Sequence, residues 1–165
     1  MMLAGDVVAV EVNAARAREL EANVARLGAT NVQVVCADGR DLPPDLDGFD
    51  RALVDAPCSG LGVLASRPDL RWRAEPLHEL QLELLRAALS RVRPGGTVVY
   101  STCTINAAEN EAVVDAVLAD GAAALDPSLG DEWPLFRHRT RPELVQTLPH
   151  VHGTSGFFVA RLAVP

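Results

Sequence analysis

A chain of 165 residues, 48% hydrophobic and 4% aromatic, suits one compact core and is short for two ordinary domains, so a single domain over 1–165 is expected. A net charge of -7 argues against a stand-alone nucleic-acid binder, and any RNA contact must come from local arginine clusters. All 15 basic residues are arginine, which excludes a Schiff-base lysine, a Walker-type phosphate lysine and a lysine general base.

The opening Met1–Asp6 segment lacks the basic flank of a signal peptide and the apolar run of a membrane span. Three cysteines without paired close spacing fit neither a disulfide framework nor a four-thiolate zinc site. A soluble cytoplasmic protein is therefore expected.

Asp6 to Val12 reads as a buried strand, because Val7, Val8, Val10 and Val12 are β-branched within a short run; it ends in an acid, Glu11. Asn13 can cap a helix with Ala17, Leu20, Val24 and Leu27 on one face, and Gly28 suits its C-terminal cap. Asn31 to Cys36 is a second strand, with Cys36 read as a buried core residue. After turn-rich Asp41–Asp45, a third strand runs from Phe49 to Asp55, and a long Pro-, Gly- and Arg-rich loop extends to about Arg73. Leu77, Leu80, Leu84, Leu85, Ala88, Leu89 and Val92 mark an amphipathic helix stopping at Pro94-Gly-Gly96, and Thr97 to Ser101 is the fourth strand. Asn106 and Glu109 have capping-box spacing ahead of a helix carrying Val113, Val114, Val117 and Leu118. Alternating strands and helices predict a parallel α/β sheet, whereas Glu143–Leu148 and Gly156–Leu162, with no helix between them, predict an antiparallel edge pair.

Chemistry concentrates at the strand ends, the edge at which open α/β sheets bind their ligands. Glu11 is placed to accept from both hydroxyls of a ribose, or is a solvated acid. Asp38 is placed to accept from an adenine amine, or only shapes a turn before Gly39. Asp55 puts a carboxylate at the third strand end, with Cys58 three residues on. Cys103 follows the fourth strand, just ahead of the helix expected from Asn106. If those two strands are neighbours, both thiols reach one edge, an arrangement for covalent catalysis; the nearby helix start would favour the Cys103 thiolate. Arg67, Arg71 and Arg73 around Trp72 offer phosphate contacts and a stacking surface. His150 and His152 have strand spacing and no nearby third ligand, so they read as solvent-facing rather than as a metal site. Trp133 and the Arg137–Arg141 cluster have no assignment from sequence.

Together, Val7-Val-Ala-Val-Glu11, Ala37-Asp-Gly39, Val54-Asp-Ala-Pro-Cys-Ser-Gly60, Arg67-Pro-Asp-Leu-Arg-Trp72, Pro94-Gly-Gly96, Tyr100-Ser-Thr-Cys103, Glu109-Asn-Glu111 and Leu148-Pro-His-Val-His-Gly-Thr154 closely resemble the catalytic domain of the Sun/Nop family of RNA cytosine-5 methyltransferases. Within the family, it most resembles the bacterial branch modifying small-subunit ribosomal RNA. The resemblance implies a Rossmann-like class I methyltransferase fold, mostly parallel, with S-adenosylmethionine as cofactor and RNA as substrate, and neither metal nor membrane. It implies Glu11 on the ribose, Asp38 on the adenine, and Asp55 near the methionine end and the target base. It further implies Cys103 as nucleophile and Cys58 as the thiol assisting release.

In the family, a first strand and a glycine-rich cofactor loop would stand before Asp6, where only five residues are found. The chain is thus expected to be an N-terminally incomplete catalytic domain, and Ser155 replaces a common Asp. The alternative is an inactive fragment or interaction module of the same fold. A nicotinamide-dependent dehydrogenase has only Glu11 and the alternating pattern for it, without a Gly-x-Gly-x-x-Gly.

Overall fold

The structure is a computed structural model and describes residues 5–72, 75 and 77–165. The described residues form two compact units, one ending at Asp45 and the other starting at Leu46.

In the first unit, β1 (Val7–Val10) pairs in parallel with β2 (Val32–Val35), Val7 opposite Val32 and Val10 opposite Val35. This corrects the buried strand expected over Asp6–Val12: β1 is shorter, β2 is its one strand partner among the described residues, and Val7 and Val10 are exposed. Between them runs α1 (Ala14–Leu27). Asn13 caps it as the sequence predicts: extended, with its side-chain oxygen accepting from the N–H groups of Ala15 and Arg16 at 2.9 and 3.1 Å. Gly28 ends the helix at φ +63°, a left-handed conformation that costs a residue without Cβ little. Cys36 corrects the buried reading: β2 stops at Val35, and the cysteine is exposed.

The second unit is built on β4 (Val92–Thr102). On one side β3 (Phe49–Asp55) pairs with it in parallel; on the other β7 (Phe157–Ala163) pairs antiparallel. The far edge of β7 carries β6 (Val145–Thr147) and the two-residue β5 (Ala124–Leu125), both antiparallel. The antiparallel pair expected from the tail is β6–β7, and β7 also joins the tail to β4.

Burial alternates along β4: Val98, Tyr100 and Thr102 are fully covered, while Val99 and Ser101 on the other face are half-buried. Helices α2 (His78–Arg91) and α3 (Glu111–Ala119) supply Leu85, Leu89, Val113, Val114 and Val117 to the same core as Val98 and Tyr100. Phe158, Ala160 and Leu162 of β7 join this core, and Tyr100 meets Phe158 edge-to-face with centroids 6.4 Å apart. Each large apolar side chain buried here contributes about 1.5–3 kcal/mol.

Three expectations change in this unit. Helix α2 ends at Arg91 and β4 begins at Val92, well before Thr97. The register jumps from Phe49–Val92 to Arg51–Thr97, so Pro94-Gly-Gly96 is an irregularity within the strand pair rather than the stop of the helix. The Asn106–Glu109 capping box does not form: Asn106 Oδ1 accepts from Ala108 N–H at 3.1 Å, the Glu109 side chain turns inward, and α3 starts only at Glu111. Finally, Pro149–His152 is a short helix, α5, between the tail strands, so the two histidines lie on a helical turn. His152 Nδ1 accepts from Leu148 N–H at 2.8 Å, and its ring meets Phe136 edge-to-face at 5.4 Å. The sequence reading also missed β5 and the five-residue helix α4 (Ser128–Glu132).

Candidate active site

The parallel register places Asp55, last residue of β3, opposite Ser101 of β4, so both chains leave the sheet at the same edge. Ala56 N–H still donates to Ser101 carbonyl at 3.0 Å, and Ser101 Oγ donates to Asp55 Oδ1 at 3.2 Å. From this common origin the chain reaches Cys58 on one side and Cys103 on the other. Their sulfurs lie 3.2 Å apart, both partly buried. Burial, and then the hydrogen bond with Cys103, push the Cys58 thiol from 9.0 up to about 12. Cys58 therefore stays protonated at neutral pH.

The loops carrying these thiols are held by buried polar groups. Gln81 Nε2 donates to Pro57 carbonyl at 2.8 Å, just before Cys58; Ser59 N–H donates to Glu109 Oε1 at 2.9 Å, just after it. On the other loop, Gly62 N–H donates to Cys103 carbonyl at 3.0 Å. Ser59, Gln81, Thr102, Thr104, Glu109 and Asn110 are all buried, although none was singled out as a functional side chain from sequence. Burial alone would raise the Glu109 pKa, but hydrogen bonds from Ser59, Leu77 and Gln81 outweigh it and keep the carboxyl below its usual 4.5. The signal that could have found Glu109 is its place one step before Asn110 in the quoted Glu109-Asn-Glu111 motif; the capping-box spacing hid it.

In the first unit, Glu11 and Asp38 follow β1 and β2 at the carboxyl edge of that parallel pair, with Glu11 N–H donating to Val35 carbonyl at 3.1 Å. Glu11 Oε1 accepts from Asn13 N–H at 2.7 Å and from Arg16 Nη2 at 3.0 Å. Among the described residues its Oε2 takes no hydrogen bond, which leaves that oxygen's lone pairs open to an incoming donor. Asp38 is clamped by the Arg40 guanidinium, at 2.7 Å on the closest oxygen, and by Arg40 N–H, and these hydrogen bonds hold its carboxyl down to about 2. The carboxylate is thus charged at neutral pH, with Arg40 occupying part of its acceptor capacity.

The loop after the cysteine turn makes two short 3-10 turns, Leu61–Val63 and Pro68–Trp72. Trp72 is 83% exposed, Arg71 is exposed, and Arg67 is paired with Asp69 through two hydrogen bonds of 2.9 Å. Arg73 lies outside the described residues. Of the unassigned cluster, Arg137 binds Gly130 carbonyl and Asp131 of the neighbouring α4, while Arg141 binds Glu143 and, across to α3, Asp115. Among the described residues no group of three or more His, Cys, Asp or Glu could hold a metal ion.

The α/β architecture, with a parallel strand pair in each unit and antiparallel edge strands in the second, is that of a Rossmann-like methyltransferase, and solved methyltransferases share it. The chain belongs to the 16S rRNA methyltransferase RsmB/F family, whose sequence profile matches residues 1–163. It is 40% identical over 167 residues to ribosomal RNA small subunit methyltransferase F of Serratia proteamaculans, covering 96% of this chain and 35% of that protein. The chain thus spans about a third of the length of the curated relatives it matches. NSun6 from Pyrococcus horikoshii, solved with SFG, superposes with a TM-score of 0.81 at 35% identity, over 97% of this chain and 41% of that one. A methyltransferase homolog protein from the same organism gives 0.75 at 31% identity, over 98% and 54%.

Proposed function

We propose that this chain carries the thiol centre of an S-adenosylmethionine-dependent methyltransferase that modifies carbon 5 of cytosine in RNA, ribosomal RNA by kinship, in the cytoplasm. The observation that carries this reading is the 3.2 Å approach of Cys58 and Cys103 at the ends of adjacent parallel strands. S-adenosylmethionine is the cofactor of the family, and the NSun6 relative was solved with SFG, an analogue of it. Glu11 and Asp38 are the residues proposed to hold its ribose and adenine, and Asp55 to lie near its methionine end. When bound, the cofactor supplies an electrophilic methyl group.

Carbon 5 of cytosine is a weak nucleophile. Addition of the Cys103 thiolate to carbon 6 forms a C–S bond, moves the ring π electrons toward carbon 5 and nitrogen 3, and makes carbon 5 reactive. Asp55, exposed at the end of β3, is proposed to stabilise the charge or proton at nitrogen 3. After methylation the carbon 5 proton passes to a solvent water acting as base, the C–H bonding electrons restore the ring double bond, and the C–S bond breaks to release Cys103 as thiolate. Cys103 is taken as the nucleophile from the family resemblance, and Cys58, with its sulfur 3.2 Å away, can donate a proton to the Cys103 sulfur as it departs. The base must leave its stack to be attacked, and exposed Trp72 with Arg67 and Arg71 offers a surface for unpaired RNA.

Trapping on RNA tests the reading in the complete protein. Cys103→Ala abolishes covalent capture of cytosine-containing RNA, whereas Cys58→Ala leaves an adduct that migrates slowly on a denaturing gel. The opposite pattern reverses the roles of the two thiols.

A further inference from the structure

The two residues Glu109 and Asn110 are adjacent, and each governs the surroundings of a different thiol. The Glu109 carboxylate accepts from five donors. Oε1 takes Ser59 N–H at 2.9 Å, Gln81 Nε2 at 3.0 Å and Leu77 N–H at 3.2 Å; Oε2 takes Ser59 Oγ and, at 3.4 Å, Asn106 Nδ2. Gln81 in turn holds Pro57, so both neighbours of Cys58 are tied to this one carboxylate. The Asn110 carboxamide does the same for Cys103: its Oδ1 accepts from Thr102 Oγ1 at 2.6 Å, and its Nδ2 donates to Thr104 carbonyl at 3.0 Å.

A hydroxyl chain then joins the two loops. Because Ser59 Oγ donates to Glu109, it accepts from Thr104 Oγ1 at 2.8 Å; Thr104 Oγ1 accepts from Asn106 N–H at 3.2 Å. Glu109 and Asn110 are themselves fixed, fully buried ahead of α3, with Tyr100 Oη donating to Glu109 carbonyl at 2.6 Å. A buried anion satisfied by five donors costs much to dismantle, so it can specify one loop geometry where neutral surface turns would wander.

We infer that the buried Glu109–Asn110 pair is a positioning device that sets the separation of the Cys58 and Cys103 sulfurs, and so adjusts the covalent centre without touching substrate. The inference rests on the proposed thiol chemistry only for its effect on turnover; the sulfur separation is a property of the fold.

A trivalent arsenical reads that separation directly. Phenylarsine oxide bridges two close thiols, each sulfur bonding arsenic while the oxygen leaves as one water with both thiol protons. In the full chain carrying Cys36→Ser, bridging proceeds fast and one-to-one. In folded Glu109→Gln, verified by circular dichroism, bridging slows at least about tenfold, and kcat for RNA methylation falls ~10- to 100-fold with KM little changed, the range expected when a supporting residue is lost. Parent-rate bridging in folded Glu109→Gln overturns the inference. Should Glu109→Gln not fold, Ser59→Ala decides: it removes the hydroxyl link and keeps the carboxylate, and bridging slows severalfold or the inference fails. A parent chain that is bridged readily but never methylates RNA in the complete protein counts against the proposed function and leaves the positioning result standing.

Discussion

Gly62 donates its amide to the carbonyl of Cys103 from a position where no side chain fits. A Cβ there would lie 2.1 Å from Gly156 carbonyl oxygen and 2.8 Å from Cys103 carbonyl oxygen, and Gly62 carbonyl already accepts from Gly156 N–H at 2.8 Å. The residue just ahead of β7, the Leu61–Val63 turn and the Cys103 loop therefore meet backbone to backbone. Because backbone rather than a flexible side chain would have to yield, Gly62→Ala is expected to destabilise by about 1–3 kcal/mol. Thermal unfolding measures this, at about 2–4 °C in Tm per kcal/mol for a chain of this length. Adduct formation slows as well, since Cys103 loses its anchor.

The raised Cys58 pKa sets an alkaline limit on stability. The neutral thiol is favoured in the folded state, so its contribution is fully present below 9.0, the ordinary thiol value, and is lost as pH rises from there toward about 12. Urea midpoints measured between pH 8 and pH 10.5 should fall in the parent chain. In Cys58→Ala the decline is expected to be shallower.

Glu11→Gln weakens S-adenosylmethionine binding in the complete protein. The substitution keeps the side-chain shape and removes the charge from an acceptor whose Oε1 already serves Asn13 and Arg16. Loss of a charge-assisted hydrogen bond of about 1.5–3 kcal/mol corresponds to ~10- to 100-fold in affinity, which calorimetry resolves. Unchanged affinity would remove Glu11 from the cofactor site.

Trp72→Ala separates RNA contact from folding. The side chain is 83% exposed, so Tm should not move by more than about 2 °C, the effect of a substitution within ±0.5 kcal/mol. If a base stacks there, RNA affinity falls by about 1–3 kcal/mol, read by a binding titration with single-stranded RNA.

Sequence resolved the elements whose determinants are local. The Val-rich β1, the Asn13 and Gly28 caps of α1, the Phe49–Asp55 strand and the two cysteines just past their strands all read from residues adjacent in the chain. What escaped depends on distant partners. Asn106 and Glu109 carry a helix-cap spacing, yet the Glu109 side chain is drawn inward by Ser59, fifty positions away, and by Gln81. His150 and His152 alternate as in a strand, but Pro149 opens a helical turn that His152 closes by accepting from Leu148 N–H. Cys36 lies one residue beyond the end of its strand, a boundary that periodicity does not locate to a single position.

The irregular pairing of β3 and β4 bears on how such a chain tolerates insertions and deletions. Three extra residues on β4 are taken up between Val92 and Thr97, whereas from Arg51–Thr97 to Asp55–Ser101 the two strands advance in step. A length change beside Pro94 can be absorbed there, upstream of the ladder. A one-residue change between Thr97 and Ser101 would instead invert the inward and outward sides of the rest of the strand and turn Cys103 away from Cys58. Homologues that differ in length within this strand pair should therefore differ at its glycine end.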